Sequence, residues 1–291
     1  MYSNKLYTPL RYPGGKARFA PFIAETMQAN GLDGGQYLEP YAGGAGVALE
    51  LLFHGHASHI HINDLDPAIN AFWVSVTRHP EELLRLLHDT PIDMDQWFRW
   101  RGVLRGETEA TLVERGFATL FMNRTNRSGI LKAGVIGGMA QTGEYKLDAR
   151  LDKPTLSARI ERIAARADSM TVYCEDARAL LSRCSDFLPT QSLIYLDPPY
   201  YVKGRGLYRN FYMHEDHMAI AKLLQSKKFE RHWVVSYDNV EEISAMYQMS
   251  EGLTYSLNYT AQKRYIGSEV MFFSRDLAID EKNIPQSKQT A

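Results

Sequence analysis

The amino-acid sequence predicts a doubly wound α/β fold carrying one helical insertion, and three observations lead there. Six short segments have the apolar pattern of strands, amphipathic helical patterns fall between them, and a helix-rich, arginine-bearing interval interrupts that rhythm once. In open α/β sheets ligands bind beyond the carboxyl ends of the strands, so the residues that follow each strand are the first candidates for chemistry.

The strand patterns are Gln36 to Glu39 (QYLE), His59 to Asn63 (HIHIN), Thr171 to Cys174 (TVYC), Leu193 to Leu196 (LIYL), Trp233 to Ser236 (WVVS) and Val270 to Phe273 (VMFF). Helical patterns include VALELLF, Pro67 to Val76 with Ala68, Ile69, Phe72, Trp73 and Val76 on one face, and His217 to Gln225 with Met218, Ala221 and Leu224. Between about Val76 and Ala167 come arginine-bearing helical patterns, the glycine-rich stretch SGILKAGVIGGMAQTG (Ser128 to Gly143) and the amphipathic SARIERIAARA. This interval is expected to sit on the α/β core and meet a partner; a helical cover over one sheet face would carry the same pattern. The expected division is residues 1–75 with 168–275 as one catalytic unit, 76–167 as the insertion, and 276–291 as a solvated tail.

With 291 residues, 45 % of them hydrophobic, the chain can bury a full core. A formal net charge of -1 excludes a protein that coats nucleic acid through bulk electrostatics, but leaves room for a local basic surface. Between Asp95 and Ala133 seven cations (Arg99, Arg101, Arg105, Arg115, Arg124, Arg127 and Lys132) stand against four acids. Two cysteines make neither a disulfide framework nor a zinc set, and the dense histidines His54, His56, His59 and His61 lack completing ligands, so no metal is expected. The absence of an apolar leader or an eighteen-residue apolar run leads to the expectation of a cytoplasmic protein with no membrane partner.

Three strand-end loops carry the candidate site. After QYLE comes Pro40-Tyr41-Ala42-Gly43-Gly44-Ala45-Gly46, where glycines let backbone approach a ligand at a helix N-terminus, and where Glu39 would repel a pyrophosphate but suit a cationic amino acid group. After HIHIN comes Asp64, about where doubly wound folds hold ribose hydroxyls, while Asp66 before Pro67 fits a helix N-cap. After LIYL comes Asp197-Pro198-Pro199-Tyr200, a carboxylate and a proline carbonyl fixed beside an aromatic face. A planar group bearing an exocyclic amine satisfies all three: two acceptors for two N–H donors, and a ring for stacking.

These residues together resemble the Dam-like, D12 class of S-adenosylmethionine-dependent DNA adenine N6-methyltransferases, over about residues 9 to 275. RYPGGK resembles the family's N-terminal segment, which contacts the methionine part of the cofactor; LEPYAGGAG resembles its glycine motif, with Tyr41 where phenylalanine is commoner; INDLDPAINAFW resembles its ribose-binding stretch. CEDA places Asp176 at the family's acid near the cofactor adenine, NRTNRSGI resembles the segment of its DNA-contacting insertion, and DPPY is its catalytic motif, in α-type order. The resemblance implies a Rossmann-like methyltransferase sheet, doubly wound and mostly parallel with an antiparallel last strand, and an inserted, mainly helical DNA-recognition subdomain. It implies S-adenosylmethionine as cofactor, held by Tyr12, Pro13, Gly14, Gly15, Lys16, Glu39, Pro40, Tyr41, Gly43, Asp64, Asp176 and Asp197. Catalysis falls to Asp197, Pro198, Pro199 and Tyr200.

The partner it implies is double-stranded DNA, contacted by Arg124, Arg127 and Lys132 at phosphates and by Asn126 or Gln141 at base edges. Reaching the pocket requires flipping the adenine, with Tyr200 as its stacking surface. Neither Cys174 nor Cys184 follows a proline as a carbon-methylating nucleophile would, which favours amine methylation. Trp97, Phe98 and Trp100 are expected in the insertion core, and a monomer is favoured. An RNA adenine N6-methyltransferase and a catalytically silent DNA-binding protein of the same fold are the competing readings.

Overall fold

The computed structural model describes residues 7–11, 16–202, 212–259 and 265–280. Among these residues seven strands form a single sheet: β1 (Gly35–Glu39), β2 (Ala57–Asn63), β3 (Met170–Tyr173), β4 (Ser192–Leu196), β5 (His232–Asp238), β6 (Gly252–Tyr259) and β7 (Tyr265–Phe273), in the order β3-β2-β1-β4-β5-β7-β6. β1 to β5 pair in parallel; β7 runs antiparallel to both β5 and β6. The order reverses between β1 and β4, so the carboxyl ends of those two strands flank the crevice where such sheets take ligands.

Period-two alternation assigns the sheet's two faces. Tyr37, Leu193, Tyr195, Val234, Met271 and Phe273 join one apolar cluster, and Leu38, Ile194, Leu196, Val235, Val270 and Phe272 join the other. The first face is covered by α1 (Ala20–Ala29), α2 (Gly46–His54) and α3 (Pro67–Arg78), the second by α8 (Ala177–Ser182), α9 (His214–Leu224) and α10 (Glu241–Met246). β4 is buried at every residue, as a central parallel strand covered on both faces must be.

The interval expected as an insertion supplies α4 (Pro80–Asp89), α5 (Met94–Arg105), α6 (Leu112–Thr125) and α7 (Lys153–Ala164). Trp97, Trp100, Phe117, Phe121 and Ile160 belong to the same cluster as Phe72, Trp73 and the sheet's first face, so these helices thicken that layer. α6 lies directly on α3: a Cβ on Gly116 would stand 2.3 Å from Ser75 Oγ and 2.7 Å from the Ala71 carbonyl, so only glycine permits the approach. Phe98, expected in the core with its two tryptophan neighbours, is 45 % exposed because it points off the buried face of α5, where Arg101 lies over its ring.

Candidate active site

A cavity of about 410 Å³ opens beside the β1–β4 reversal, on the scale of a small-molecule site. Its wall includes Lys16, Glu39, Tyr41, Asn63, Asp64, Tyr195 and Asp197, so the loops that follow β1, β2 and β4 converge on it.

One wall is built from the ends of β1 and β2. Asp64 Oδ2 accepts the backbone N–H of Gly43 at 3.0 Å and Oδ1 that of Asp66 at 2.9 Å, tying the glycine loop to the second strand. Burial pushes the Asp64 carboxyl up to about 7, with the Asp66 charge adding to it and the two N–H donors opposing. Glu39 Oε1 accepts from the Tyr37 hydroxyl and the Ala48 N–H, both at 3.0 Å, and burial drives its carboxyl to about 8. Asp66 is the helix cap: its Oδ1 accepts the Ala68 N–H at 2.9 Å, and Pro67 opens α3. Asn63, not singled out in the sequence, donates to the carbonyls of Pro40 (2.9 Å) and Glu175 (3.0 Å) and accepts from the Glu175 N–H (2.9 Å), fastening a third loop to the same wall.

The opposite chemistry stands at the end of β4. The Asp197 side chain is 23 % exposed, and its Oδ1 accepts from Ser236 Oγ at 2.9 Å and lies 3.6 Å from Lys16 Nζ. Burial raises its carboxyl to about 6; Lys16 and the Ser236 hydroxyl oppose the rise, and Glu269 adds to it. Beyond Tyr200 the chain is fixed by Asp238 at the end of β5, whose carboxylate oxygens accept the N–H groups of Tyr201 (2.9 Å) and Val202 (3.0 Å). A polar stripe crosses the sheet here: Tyr195 and Ser236 hydroxyls meet at 3.0 Å, and Glu269 on β7 accepts from Tyr200 and Tyr255, each at 2.5 Å, and from Lys16 at 2.6 Å. Glu269, not among the residues expected at the site, stands in the sequence as an acid inside the apolar run YIGSEVMFF, which is the signal that marks it.

Several expected site residues stand elsewhere than anticipated. Tyr12, Pro13, Gly14 and Gly15 lie outside the described residues. Tyr200 is only 5 % exposed and its hydroxyl is held by Glu269 and Lys16, so its ring does not line the cavity; Pro199, Tyr41, Tyr195 and Tyr212 do. Asp176 is exposed and spends its carboxylate capping α8 through the Ala179 N–H at 3.1 Å, leaving its neighbours Glu175 and Ala177 on the cavity wall.

The insertion residues divide sharply. Arg124 is buried and directs its guanidinium to the Pro9 carbonyl, with Nε at 2.7 Å, while Asn123 pairs with both backbone groups of Arg11, at 2.7 and 2.8 Å. Gly129 completes the seam: at φ 75° it lies so close to Arg11 that a Cβ would stand 2.4 Å from that carbonyl. The NRT segment thus clamps the strand of chain that leads into Lys16, and Arg124 is not a surface phosphate contact. Asn126 is fully buried, its amide spent on Trp97 Nε1 (2.8 Å) and on the carbonyls of Ile130 (3.2 Å) and Leu131 (3.0 Å); no group remains for a base edge. Gln141 is likewise consumed, donating to Ile136 and Gly138 carbonyls at 2.7 Å and accepting from the Leu147 N–H at 2.9 Å. Arg127 and Lys132 are exposed and form no ion pair among the described residues.

Residues 12–264 match the D12 class N6 adenine-specific DNA methyltransferase family, which is most of the chain and spans every strand-end loop of the cavity. The chain belongs to this family. Among its relatives, the type II methyltransferase M.MjaIII of Methanocaldococcus jannaschii is 22 % identical over 204 residues, covering 66 % of this chain and 68 % of that protein. The retron Ec67 DNA adenine methylase of Escherichia coli is also 22 % identical, over 265 residues, covering 89 % of this chain and 85 % of that one. Among solved structures, a putative RNA methyltransferase, PH1948 of Pyrococcus horikoshii, is superposable over 91 % of this chain and 84 % of its own at 10 % identity and a TM-score of 0.41.

As a D12-class enzyme the chain is an adenine-specific DNA methyltransferase that uses S-adenosylmethionine. The donor set of the cavity suits that cofactor, whose sulfonium and amino groups are cationic and whose ribose carries two hydroxyls. Glu39 and Asp64 are carboxyls that burial holds near their neutral forms, and a cation or a hydroxyl donor at either is what would favour ionisation. Among the described residues no group of histidine, cysteine and acidic side chains could hold a metal, and no helix is long and apolar enough to cross a membrane.

Proposed function

We propose that the enzyme methylates the exocyclic N6 amine of an adenine flipped out of duplex DNA, within a short recognition word. The observation that carries this reading is that Asp197, at the end of β4, lines the same cavity as Glu39 and Asp64, at the ends of β1 and β2. In that arrangement Asp64 receives the ribose hydroxyls, Glu39 faces the amino acid end of the cofactor, and the Gly43 loop approaches it through backbone. When bound, the cofactor supplies a methyl group on a cationic sulfur, to which the bonding electron pair returns as the group leaves.

The protein's part is to make a poor nucleophile into an adequate one. Adenine's amine is conjugated with its ring; N–H bonds to the Asp197 carboxylate and the Pro198 carbonyl would localise the nitrogen lone pair and aim it at the methyl group. A well-oriented pair of reactants at about 3–3.5 Å recovers much of the barrier as entropy already spent on binding. As the N–CH3 bond forms, the amine becomes cationic and releases a proton, and Asp197 is the acceptor within reach. Its carboxyl near 6 leaves it ionised at neutral pH yet basic enough to take that proton. Exposed Arg127 and Lys132 are the phosphate contacts left to the insertion once the buried residues are set aside.

Methyl-labelled S-adenosylmethionine offered with duplex DNA and, separately, with RNA tests the reading. Label in N6-methyladenine from DNA is the expected result; label only in RNA, or in no nucleic acid, would overturn it.

A further inference from the structure

Three of the groups around Asp197 are joined by one carboxylate that lies away from the cavity. Glu269 is fully buried on β7, directly opposite Tyr255 on β6 and Asp238 on β5. Its Oε1 accepts from Tyr200 at 2.5 Å, and its Oε2 from Tyr255 at 2.5 Å and from Lys16 at 2.6 Å. Lys16 Nζ in turn donates to the Tyr200 hydroxyl at 2.9 Å and stands 3.6 Å from Asp197. The ammonium is therefore a full ångström closer to Glu269 than to the carboxylate at the end of β4. Although burial works to raise the Glu269 carboxyl, Lys16 and the two hydroxyls hold it below the ordinary glutamate value, so it is an anion.

That geometry matters because the alternative pairing is unproductive. A lysine bonded fully to Asp197 would add a charged donor to an oxygen that already accepts from Ser236, and would depress the basicity the carboxylate needs to take the amine's proton. We propose that Glu269 is a positioning residue: it draws the Lys16 ammonium back from Asp197 and pins the Tyr200 hydroxyl, leaving Asp197 free to receive the target amine and its proton. This rests on the reading of Asp197 given above. No bond is made or broken at Glu269; it acts through Lys16.

Among the described residues, the groups that face Asp197 are Lys16 from the segment before α1, Tyr37 and Glu39 from β1, Tyr195 on its own strand, Ser236 from β5, Tyr255 from β6 and Glu269 from β7. Of these Lys16 lowers its carboxyl and Glu269 raises it, which fixes the sign of the test. In Glu269→Gln the ammonium is released toward Asp197, so the acid limb of the kcat–pH profile moves to lower pH. The expected displacement is about one pH unit, with kcat at neutral pH down about tenfold or more. KM for S-adenosylmethionine stays within about threefold, since Glu39 and Asp64 are untouched.

Tyr255→Phe deletes the hydroxyl that shares Glu269 Oε2 with Lys16, leaves the core volume almost unchanged, and should tighten the Lys16–Glu269 pair, moving the limb slightly the other way, to higher pH. It keeps the test open if Glu269→Gln does not fold. A wild-type enzyme that transfers methyl to duplex DNA, beside folded variants whose acid limb does not move, would overturn the inference alone. A wild-type enzyme that binds the cofactor but methylates no DNA would overturn the functional reading on which it rests. A profile that moves down in Glu269→Gln and up in Tyr255→Phe, with KM held, supports it, because a merely structural loss would lower kcat without displacing the limb.

Discussion

Asp64 Oδ2 holds the backbone N–H of Gly43 at 3.0 Å, so a residue at the end of the second strand shapes the loop that follows the first. Both oxygens of this carboxylate are already engaged by backbone, yet each retains a second lone pair, and the residue lines the cavity. Asp64→Ala removes an acceptor for the ribose and a tether for the glycine loop together. Cofactor affinity should fall by about 1.5–3 kcal/mol, the cost of losing a charged hydrogen-bond partner. Calorimetric titration with S-adenosylmethionine checks this, and an unchanged Kd would remove Asp64 from the site.

Glu39 gives a pH-dependent prediction. Burial raises its folded-state pKa from 4.5 to about 8, so the neutral carboxyl favours the fold. That contribution is complete below the unfolded value and is lost as pH rises through about 8. Glu39→Gln keeps the acceptor for Tyr37 and Ala48 but cannot ionise. Above pH 8 the cofactor-free variant should melt roughly 2–4 °C higher than wild type, with little difference near pH 5. The same change should weaken the cofactor, and wild-type binding near pH 7 should release roughly one proton as the carboxyl ionises beside a cation. Calorimetry in two buffers of different ionisation enthalpy measures that proton.

The insertion separates stability from DNA contact. Asn126→Ala strands the buried Trp97 N–H and two loop carbonyls. It should cost about 2–4 kcal/mol in denaturant unfolding. Arg127→Ala and Lys132→Ala remove exposed cations that form no ion pair among the described residues; each should change unfolding far less than Asn126→Ala while reducing the salt dependence of DNA binding by about one unit of slope. The reverse pattern would show that Asn126 reads DNA after all.

The fold was legible where burial imposes a pattern. β4 and its neighbours carry near-continuous apolar runs because both faces are covered, and the acids Asp64 and Asp197 stand out because each ends such a run. β6 is not legible for the converse reason: among the described residues it is the edge strand and pairs only with β7, and GLTYSLNY dilutes its apolar residues with glycine, serine and asparagine. The helical interval could be read as helical but not as part of one layer, since Gly116 against Ser75 is a contact between residues forty-one positions apart. The NRT segment misled for a related reason. Arginine and asparagine in a basic interval suggest nucleic acid, and only the return of residues 9–11 to α6 shows that Asn123 and Arg124 are spent on backbone.

Asp197 carries the decisive prediction. It accepts from Ser236 and stands 3.6 Å from the Lys16 ammonium, and neither neighbour carries a charged acceptor that could replace it for the amine. Asp197→Asn preserves shape while removing the charge and half the acceptor capacity. Transfer to duplex DNA should fall by about 10²–10⁴-fold in kcat, the range for losing a positioned proton acceptor. Cofactor affinity should stay within a few fold, because Asp64 and Glu39 are untouched. Single-turnover transfer and calorimetry on the same preparation separate the two terms. If Asp197→Asn methylates DNA at the wild-type rate, the carboxylate does not take the proton. The lone pair would then have to be directed by backbone acceptors alone, and the raised basicity of Asp197 would have no part in the chemistry.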